Sequence, residues 1–319
     1  MRHIMKYSAL AVSLVVACAA NAAWPERPVT MVVPFTAGGI TDVVARLTAE
    51  QLQTAFRQPF LVENQPGGAG VIAAERIAKA RPDGYLLLFT PIFQITMAPF
   101  THTVGFDPIR DFKPIAAVAT SPFVITVAAS FPANTLADFI SYVKARPGQL
   151  TFGSAGTASL THVSSAVFLK SAGLDMIHVP YRGVAPAMTD LLADHIAMIS
   201  SSPVELKPYL ESGKFKPLAV TGSVRSQQLP NVATIGETLK SPPVVTYNGL
   251  LAPGRTPDDI VVAIAHALST PDRRVEFQER LVKVGAEPIV STLDEFAKII
   301  AVDTDLWRDI VRDLNLRSH

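Results

Sequence analysis

Cysteine is nearly absent from this chain of 319 residues, with Cys18 the only one. It falls within an N-terminal processing signal, so the mature remainder has no disulfide, thiolate metal site or cysteine nucleophile. After that signal no stretch approaches the roughly twenty apolar residues that span a bilayer. No block of like charge occurs and the net charge is +1, which argues against nucleic acid or an anionic membrane surface as a partner. The phosphate cradle G-x-x-x-x-G-K-[ST], the dinucleotide fingerprint G-x-G-x-x-G and the zinc pattern H-E-x-x-H are all missing. His102, His178, His195 and His266 are scattered without a carboxylate cluster, so a metal site has no support.

The chain contains 49% hydrophobic and 17% charged residues, the composition of a folded protein with one large domain or two of ordinary size. Residues 1–23 read as a secretory signal: Arg2, His3 and Lys6 are basic, Ala9–Ala17 is apolar, and Ala20-Asn21-Ala22 fits small-x-small cleavage near Ala22 or Ala23. Losing Arg2 and Lys6 takes 28 basic residues to 26 against 27 acidic, a charge near −1. A periplasmic location is expected. Val15-Val16-Ala17-Cys18 also loosely resembles a lipoprotein box, which leaves a lipid anchor at Cys18 as the alternative.

Residues 28–47 organise the rest. Val29–Phe35 is short, β-branched and apolar, as in a strand buried on both faces. Thr36-Ala37-Gly38-Gly39 breaks it, and Thr41-Asp42 opens a helix with Val43, Val44 and Leu47 at helical spacing. Strand, glycine turn and helix start leave backbone amides unpaired at the strand's carboxyl end, ready for an anion. Asp42 would repel a phosphate dianion, so a singly charged carboxylate suits the turn better. Asp42 is also spaced to orient loop amides or water, or to pair with Arg46 four residues on.

Strands at Pro59–Asn64 and Tyr85–Thr90 with a helix at Val71–Ala80 complete a β-α-β-α-β unit, hence a parallel sheet. Phe112–Ala129 holds two apolar runs broken at Ser121-Pro122. A second set follows: helices from Asn134-Thr135 to about Arg146, Leu160–Ala172, Ala185–Ala193 and Pro203–Ser212, with strands Leu150–Ser154, Met176–Tyr181, Ile196–Ser200 and Lys216–Thr221. The last third reads as long helices. Thr256 is placed as an N-cap before Pro257, and Thr292-Leu293-Asp294-Glu295 as a capping box. From there Phe296, Ile299, Ile300, Trp307, Ile310 and Leu314 form a stripe expected to pack on the first sheet. Crossings near Ala117–Phe123 and Gly222–Pro230 make two lobes with a cleft, where ligands favour strand ends. The expected division is 24–118 with 224–319, and 119–223.

An enzyme reading would use Ser154 with His162, a periplasmic serine hydrolase. Phe152 occupies the first glycine of G-x-S-x-G, so the nucleophile elbow fails. What recurs instead is amide-and-hydroxyl loops at strand ends: Thr36–Gly39, Ser154–Ser159 and Ser200–Ser202. Such groups hold an anion without transforming it.

WPERPVTMVVPFTAGGITDVVAR followed by VENQPGGAGVIAAERIAKARPDGYLLL closely resembles the opening of the Bug family, the periplasmic solute-binding receptors of tripartite tricarboxylate transporters. The match continues through FDPIRDFKPIAAVA, FGSAGTASLTH, HVPYRGVAPAMTDLLA, KPLAVTGSVRSQQLPNVATI and NGLLAPGRTP. The resemblance implies a type II periplasmic-binding fold, two α/β domains closing like a Venus flytrap on a small carboxylate. It also implies no catalysis, no cofactor, and delivery to transporter membrane subunits by a monomeric receptor. A ligand-sensing partner of a two-component system is the further alternative. The first-loop pattern falls on Pro34, Phe35, Ala37, Gly38, Gly39 and Asp42, with Thr36 in its variable place. The pattern S-A-G-x-G-S-x-x-H falls on Ser154, Ala155, Gly156, Ser159 and His162, with Thr157 within it and Ala158 where glycine is usual. Many relatives carry Asp near Ser201, where it can pair with a ligand ammonium, so its loss here points to a carboxylate without an amine. Tyr247-Asn248 departs from the usual Trp-Tyr, and Arg182 is spaced to reach a carboxylate or to lie solvated.

Overall fold

The computed structural model describes residues 24–313. The signal expected at 1–23, Cys18 and Leu314 lie outside these residues. β1 (Val29–Val33), α1 (Ile40–Phe56), β2 (Phe60–Asn64), α2 (Val71–Ala78) and β3 (Leu86–Pro91) form the opening unit. β1 pairs in parallel with both β2 and β3, as crossover helices require. Two single-turn helices, α3 (Phe93–Thr96) and α4 (Ala98–Thr101), lead into β4 (Phe112–Pro122). β5 (Val124–Ala128) follows after Phe123 alone, yet belongs to a different sheet.

The second sheet is built from β5, α5 (Leu136–Lys144), β6 (Thr151–Ser154), α6 (Leu160–Ala172), β7 (Ile177–Pro180), α7 (Val184–Leu192), β8 (Met198–Ser201), α8 (Pro203–Glu211) and β9 (Phe215–Val220). Local chemistry sets these helix starts. Thr135 and Asp138 form a reciprocal capping box on α5, and Ser202 with Glu205 does the same on α8. The strand order is β7-β6-β8-β5-β9, with β6 parallel to its neighbours and β5 antiparallel to β8 and β9.

The chain then returns through β10 (Val245–Pro253), α9 (Asp258–Ser269), α10 (Pro271–Lys283), β11 (Glu287–Pro288) and α11 (Leu293–Asp313). The last third is thus not helical alone. β10 enters the middle of the first sheet, order β11-β4-β10-β3-β1-β2, antiparallel to β3 and β4. The sheet is parallel only at β2-β1-β3, because β10 arrives from the other lobe instead of through a crossover helix.

Thr221 ties both linkers together. Its amide donates to Phe123 O at 2.9 Å, its hydroxyl accepts the Phe123 amide at 2.8 Å, and its carbonyl accepts the Val244 amide at 3.0 Å. The return linker runs from Thr221 to Val244, with Ser226 and Gln227 bonded to Glu287 on β11. Thr234 bridges to Val220, and Ile235 and Leu239 pack in the second sheet's core before the chain reaches Val244.

Two helix expectations change. Pro257, not Thr256, sits at the N-cap of α9, since the Val261 amide bonds the Pro257 carbonyl and Thr256 Oγ1 is buried without a partner. The capping box at Thr292 and Glu295 forms as expected, with bonds of 2.8 and 3.3 Å. The stripe on α11, however, serves two places. Phe296 and Ile300 pack on the first sheet, whereas Trp307, Ile310 and Val311 join Phe123, Val244 and the α6 residues Leu160, Val163 and Val167. The helix has 21 residues, long enough at about 1.5 Å each to reach past one sheet. Gly249 on β10 permits its approach, for a methyl there would lie 2.2 Å from the Phe296 ring.

Candidate functional site

β1 is buried except at Thr30, which is partly so, and the chain that leaves it at Val33 reaches the surface at Thr36. Phe35 is half-buried against the first core, while Thr36, Ala37, Gly38 and Gly39 are exposed. Gly38 has φ +89°, a backbone state that a side chain would strain. Asp42 is 2% exposed and faces back into this loop. Its Oδ2 accepts the Gly38 amide at 2.9 Å and Arg46 Nε at 3.0 Å. Its Oδ1 accepts Arg46 Nη2 at 3.0 Å and Asn64 Nδ2 at 2.8 Å. Asn64 Nδ2 also donates to the Phe35 carbonyl at 3.0 Å, so the end of β2 holds the loop that leaves β1. Burial pushes the Asp42 carboxyl up, but the bonds from Arg46, Gly38 and Asn64 outweigh it and hold the group below the usual carboxylate range.

With Asp42 engaged, the first turn of α1 is free of competing side chains. Its N-cap is Gly39, which has no side chain to cap it. The first-turn amides therefore keep their donor capacity at the positive end of the helix dipole. Behind them Thr41 Oγ1 donates to Asn248 Oδ1 at 3.1 Å, linking α1 to β10.

The second loop leaves β6. Ser154 is 2% exposed, and its hydroxyl lies 2.7 Å from His178 Nε2 and 3.0 Å from the Gly156 carbonyl. Thr161 Oγ1 accepts the Ala155 amide at 2.8 Å. Ser159 is the N-cap of α6, accepting the His162 amide at 3.2 Å and donating to the Gly156 carbonyl at 2.7 Å. Ala158 has φ +59°, the left-handed region where glycine is usual, and its amide donates to His162 Nδ1 at 3.1 Å. The His162 and His178 rings stack at 3.7 Å and 5°, beside Phe152. Burial, aided by the neighbouring His178 ring, pushes His162 down to about 4, and burial lowers His178 as well. Both rings are neutral at pH 7.

Ser154 and His162 therefore do not form a nucleophile–base pair: the Ser154 hydroxyl meets His178, and His162 Nδ1 is occupied by a backbone amide. Thr157 is exposed in the same loop, and Gly156 is half-buried with φ +129°. Ser201 is fully buried and donates to Glu205 Oε2 at 2.6 Å, so a carboxylate stands beside it after all. Arg182 is exposed, with no ion pair among the described residues. No group of three or more His, Cys, Asp or Glu is placed to hold a metal ion, and no helix is long and apolar enough to cross a membrane, both among the described residues.

Asn64, His178 and Asn248 were not picked out as site residues from the sequence. Parallel register offers a signal for the first, since Asn64 aligns with Val33 at the end of β1. His178 aligns with Phe152, two residues before Ser154. The two loops belong to different sheets, but Ala158 packs in the apolar cluster that also takes Phe93 and Phe100, just beyond the end of β3. Residues of the second loop and of the segment after β3 thus share one apolar cluster.

A family model described as tripartite tricarboxylate transporter family receptor matches residues 44–316. The Bordetella pertussis protein BugT is 31% identical, over 91% of this chain and 90% of its own length. An R. palustris protein solved with adipate is 31% identical with a TM-score of 0.76, covering 92% of this chain and 99% of that one. MatC from Rhodopseudomonas palustris, solved with bound malate, is 30% identical with a TM-score of 0.71, covering 90% and 100%.

Proposed function

The chain belongs to the tripartite tricarboxylate transporter receptor family, whose members are periplasmic solute-binding receptors and not enzymes, and from that premise we propose that it captures a small organic carboxylate between its two sheets and delivers it to a transporter in the membrane. The observation that carries this reading is the first loop. Asp42, Arg46 and Asn64 hold it in one shape, and the uncapped first turn of α1 presents amides to an anion. No free cationic side chain is needed, because the donors are backbone dipoles.

The two sheets act as the cores of two lobes joined at Phe123 and through residues 221–244. In this reading Thr36–Gly39 and Ser154–Ser159 face each other across the cleft. That Ala158, Phe93 and Phe100 pack against one apolar cluster supports that placement. Malate and adipate, bound by two relatives, put dicarboxylates first among the candidates.

The test is a thermal-shift panel of mono-, di- and tricarboxylates, amino acids, aromatic acids and sugars against the mature protein. A ligand at a hundred times its dissociation constant stabilises the fold by about 2.7 kcal/mol. A melt that responds to a sugar or a cation and to no carboxylate would sink the proposal. Delivery is tested by ligand uptake into vesicles that hold the cognate membrane subunits, with and without the receptor.

A further inference from the structure

A cavity of about 460 Å³ lies between α11 and the first sheet, within the size range of small-molecule sites. Tyr247 of β10 with Ile289 and Val290 beside β11 make one wall, and Ile299, Val302 and Asp303 of α11 make the other. Helical spacing puts Ile299 and Val302 in the middle of that face, with Lys298 and Asp303 at its two edges. No residue of Thr36–Gly39 or Ser154–Ser159 lines this cavity.

Most of the wall is apolar, and its charges do not balance. Glu295 and Lys298 both line the cavity, are exposed and stand three residues apart, so these two opposite charges offset each other on the solvent side. Asp303 has no such counterpart. Among the described residues it makes no ion pair. The indole of Trp307, one turn on, is turned toward the carboxyl but stops short of a hydrogen bond, so the buried Nε1 has no partner either. Burial pushes the Asp303 carboxyl well above the usual range, while burial and the Asp303 charge raise the Tyr247 phenol. A carboxylate in an apolar enclosure is costly unless a cation or hydrogen-bond donors meet it.

We propose that this cavity is a second binding site, for an organic ammonium whose charged head meets Asp303 and whose apolar body lies against Ile289, Ile299 and Val302. The ammonium supplies both the charge and the donors that the carboxylate lacks, and the Tyr247 ring adds a face that attracts cations. A hard metal ion needs several oxygen ligands, and no group of three or more His, Cys, Asp or Glu is placed to hold one among the described residues. An anion would meet the Asp303 charge, and a neutral apolar molecule would leave it unpaired. The site is independent of what the cleft between the two sheets holds.

Calorimetric titration of the mature protein at pH 8, where Asp303 is ionised, tests this with 2-phenylethylammonium and 2-phenylethanol, which share a body and differ in the head. The ammonium is expected to bind about tenfold more tightly than the alcohol, the worth of one charge-assisted hydrogen bond. Asp303→Asn keeps the shape and removes the charge. It should weaken the ammonium about tenfold and change the alcohol less than about twofold. Lys298→Met removes a like charge at an exposed position where folding is not at stake, and should tighten the ammonium about twofold. The chain has two tryptophans, so the indole 1H–15N spectrum carries its own reference. The Trp307 signal should move with the ammonium, while Trp24, packed with Phe56 and Tyr85, stays in place. Equal binding of ammonium and alcohol, an ammonium affinity unchanged in Asp303→Asn, or an unmoved Trp307 signal overturns the proposal. Competitive displacement of the ammonium by a carboxylate overturns it too, for that would put the ammonium in the cleft. A protein that binds no carboxylate at all would sink the receptor reading and leave each of these outcomes as decisive as before.

Discussion

Asp42 is held by donors from three directions: the Gly38 amide, Arg46 and Asn64. Replacing its carboxylate in Asp42→Asn removes the charge-assisted bonds and leaves Arg46 without its partner. Arg46 is half exposed, which limits the Coulomb part, so the expected loss is about 1–3 kcal/mol, measured by urea unfolding. Weaker carboxylate binding should accompany it, because the loop amides lose their frame. A second residue-scale prediction concerns acid. In the unfolded chain His162 and His178 take up protons below about pH 6.5. In the folded chain His162 resists down to about 4, and His178 is lowered too. The unfolded state then binds more protons in that window, so stability falls as pH drops from about 6.5 towards 4. Asp42 adds its own loss only lower, as pH falls below the ordinary carboxylate value toward its depressed one. Melting curves between pH 7.5 and 4 check this, and the upper part of the slope should flatten in a His162→Asn/His178→Asn double variant. Ala158 gives a third. Its positive φ strains an alanine, so Ala158→Gly should raise stability by up to about 1 kcal/mol, reduced by the loss of a half-buried methyl. A clear destabilisation would show that the methyl's packing in the cluster of Leu160, Val163 and Trp307 dominates.

At the scale of elements, α11 does more than cover a sheet. Its first half is anchored by the Thr292 capping box and by Phe296 against Gly249. Its second half brings Trp307, 1% exposed, to the place where α6 and both linkers meet. Trp307→Ala should cost about 3–5 kcal/mol in chemical denaturation, the range for a large buried aromatic. Because the cluster includes Leu160 and Val163 directly behind the second loop, the same change should weaken ligand binding. A loss under 1 kcal/mol would mean that the helix end is not integral to the junction. The apolar spacing along α11 was plain in the sequence, yet its partners were not. Periodicity shows which side of a helix is buried, and says nothing of what lies against it. Thr256 illustrates a smaller limit, since a Thr-Pro pair fits a cap at either residue and one backbone bond decided for Pro257.

For the whole molecule, two mixed sheets joined at Phe123 and 221–244 form the frame that the receptor reading requires. Stabilisation that rises with the logarithm of carboxylate concentration is the expected behaviour of such a frame closing on its ligand. Much of this was legible in the chain itself. The β-α-β rhythm, the glycine turn at Gly38-Gly39, the helix Leu160–Ala172 and the break near Pro122 are local signals, set by side-chain period, backbone freedom and capping chemistry within a few residues. The ordered motifs likewise placed the chain in its family. Only the tertiary structure decided that Asp42 turns inward to Arg46 and Asn64, that Ser154 meets His178 and not His162, that Ser201 lies against Glu205, and that β10 runs through the centre of the first sheet. These are choices among partners. Asp42 with Asn64, Ser154 with His178 and the ladders of β10 join residues too far apart in sequence for a local pattern to specify, whereas Asp42 with Arg46 and Ser201 with Glu205 are four residues apart and were one choice among several.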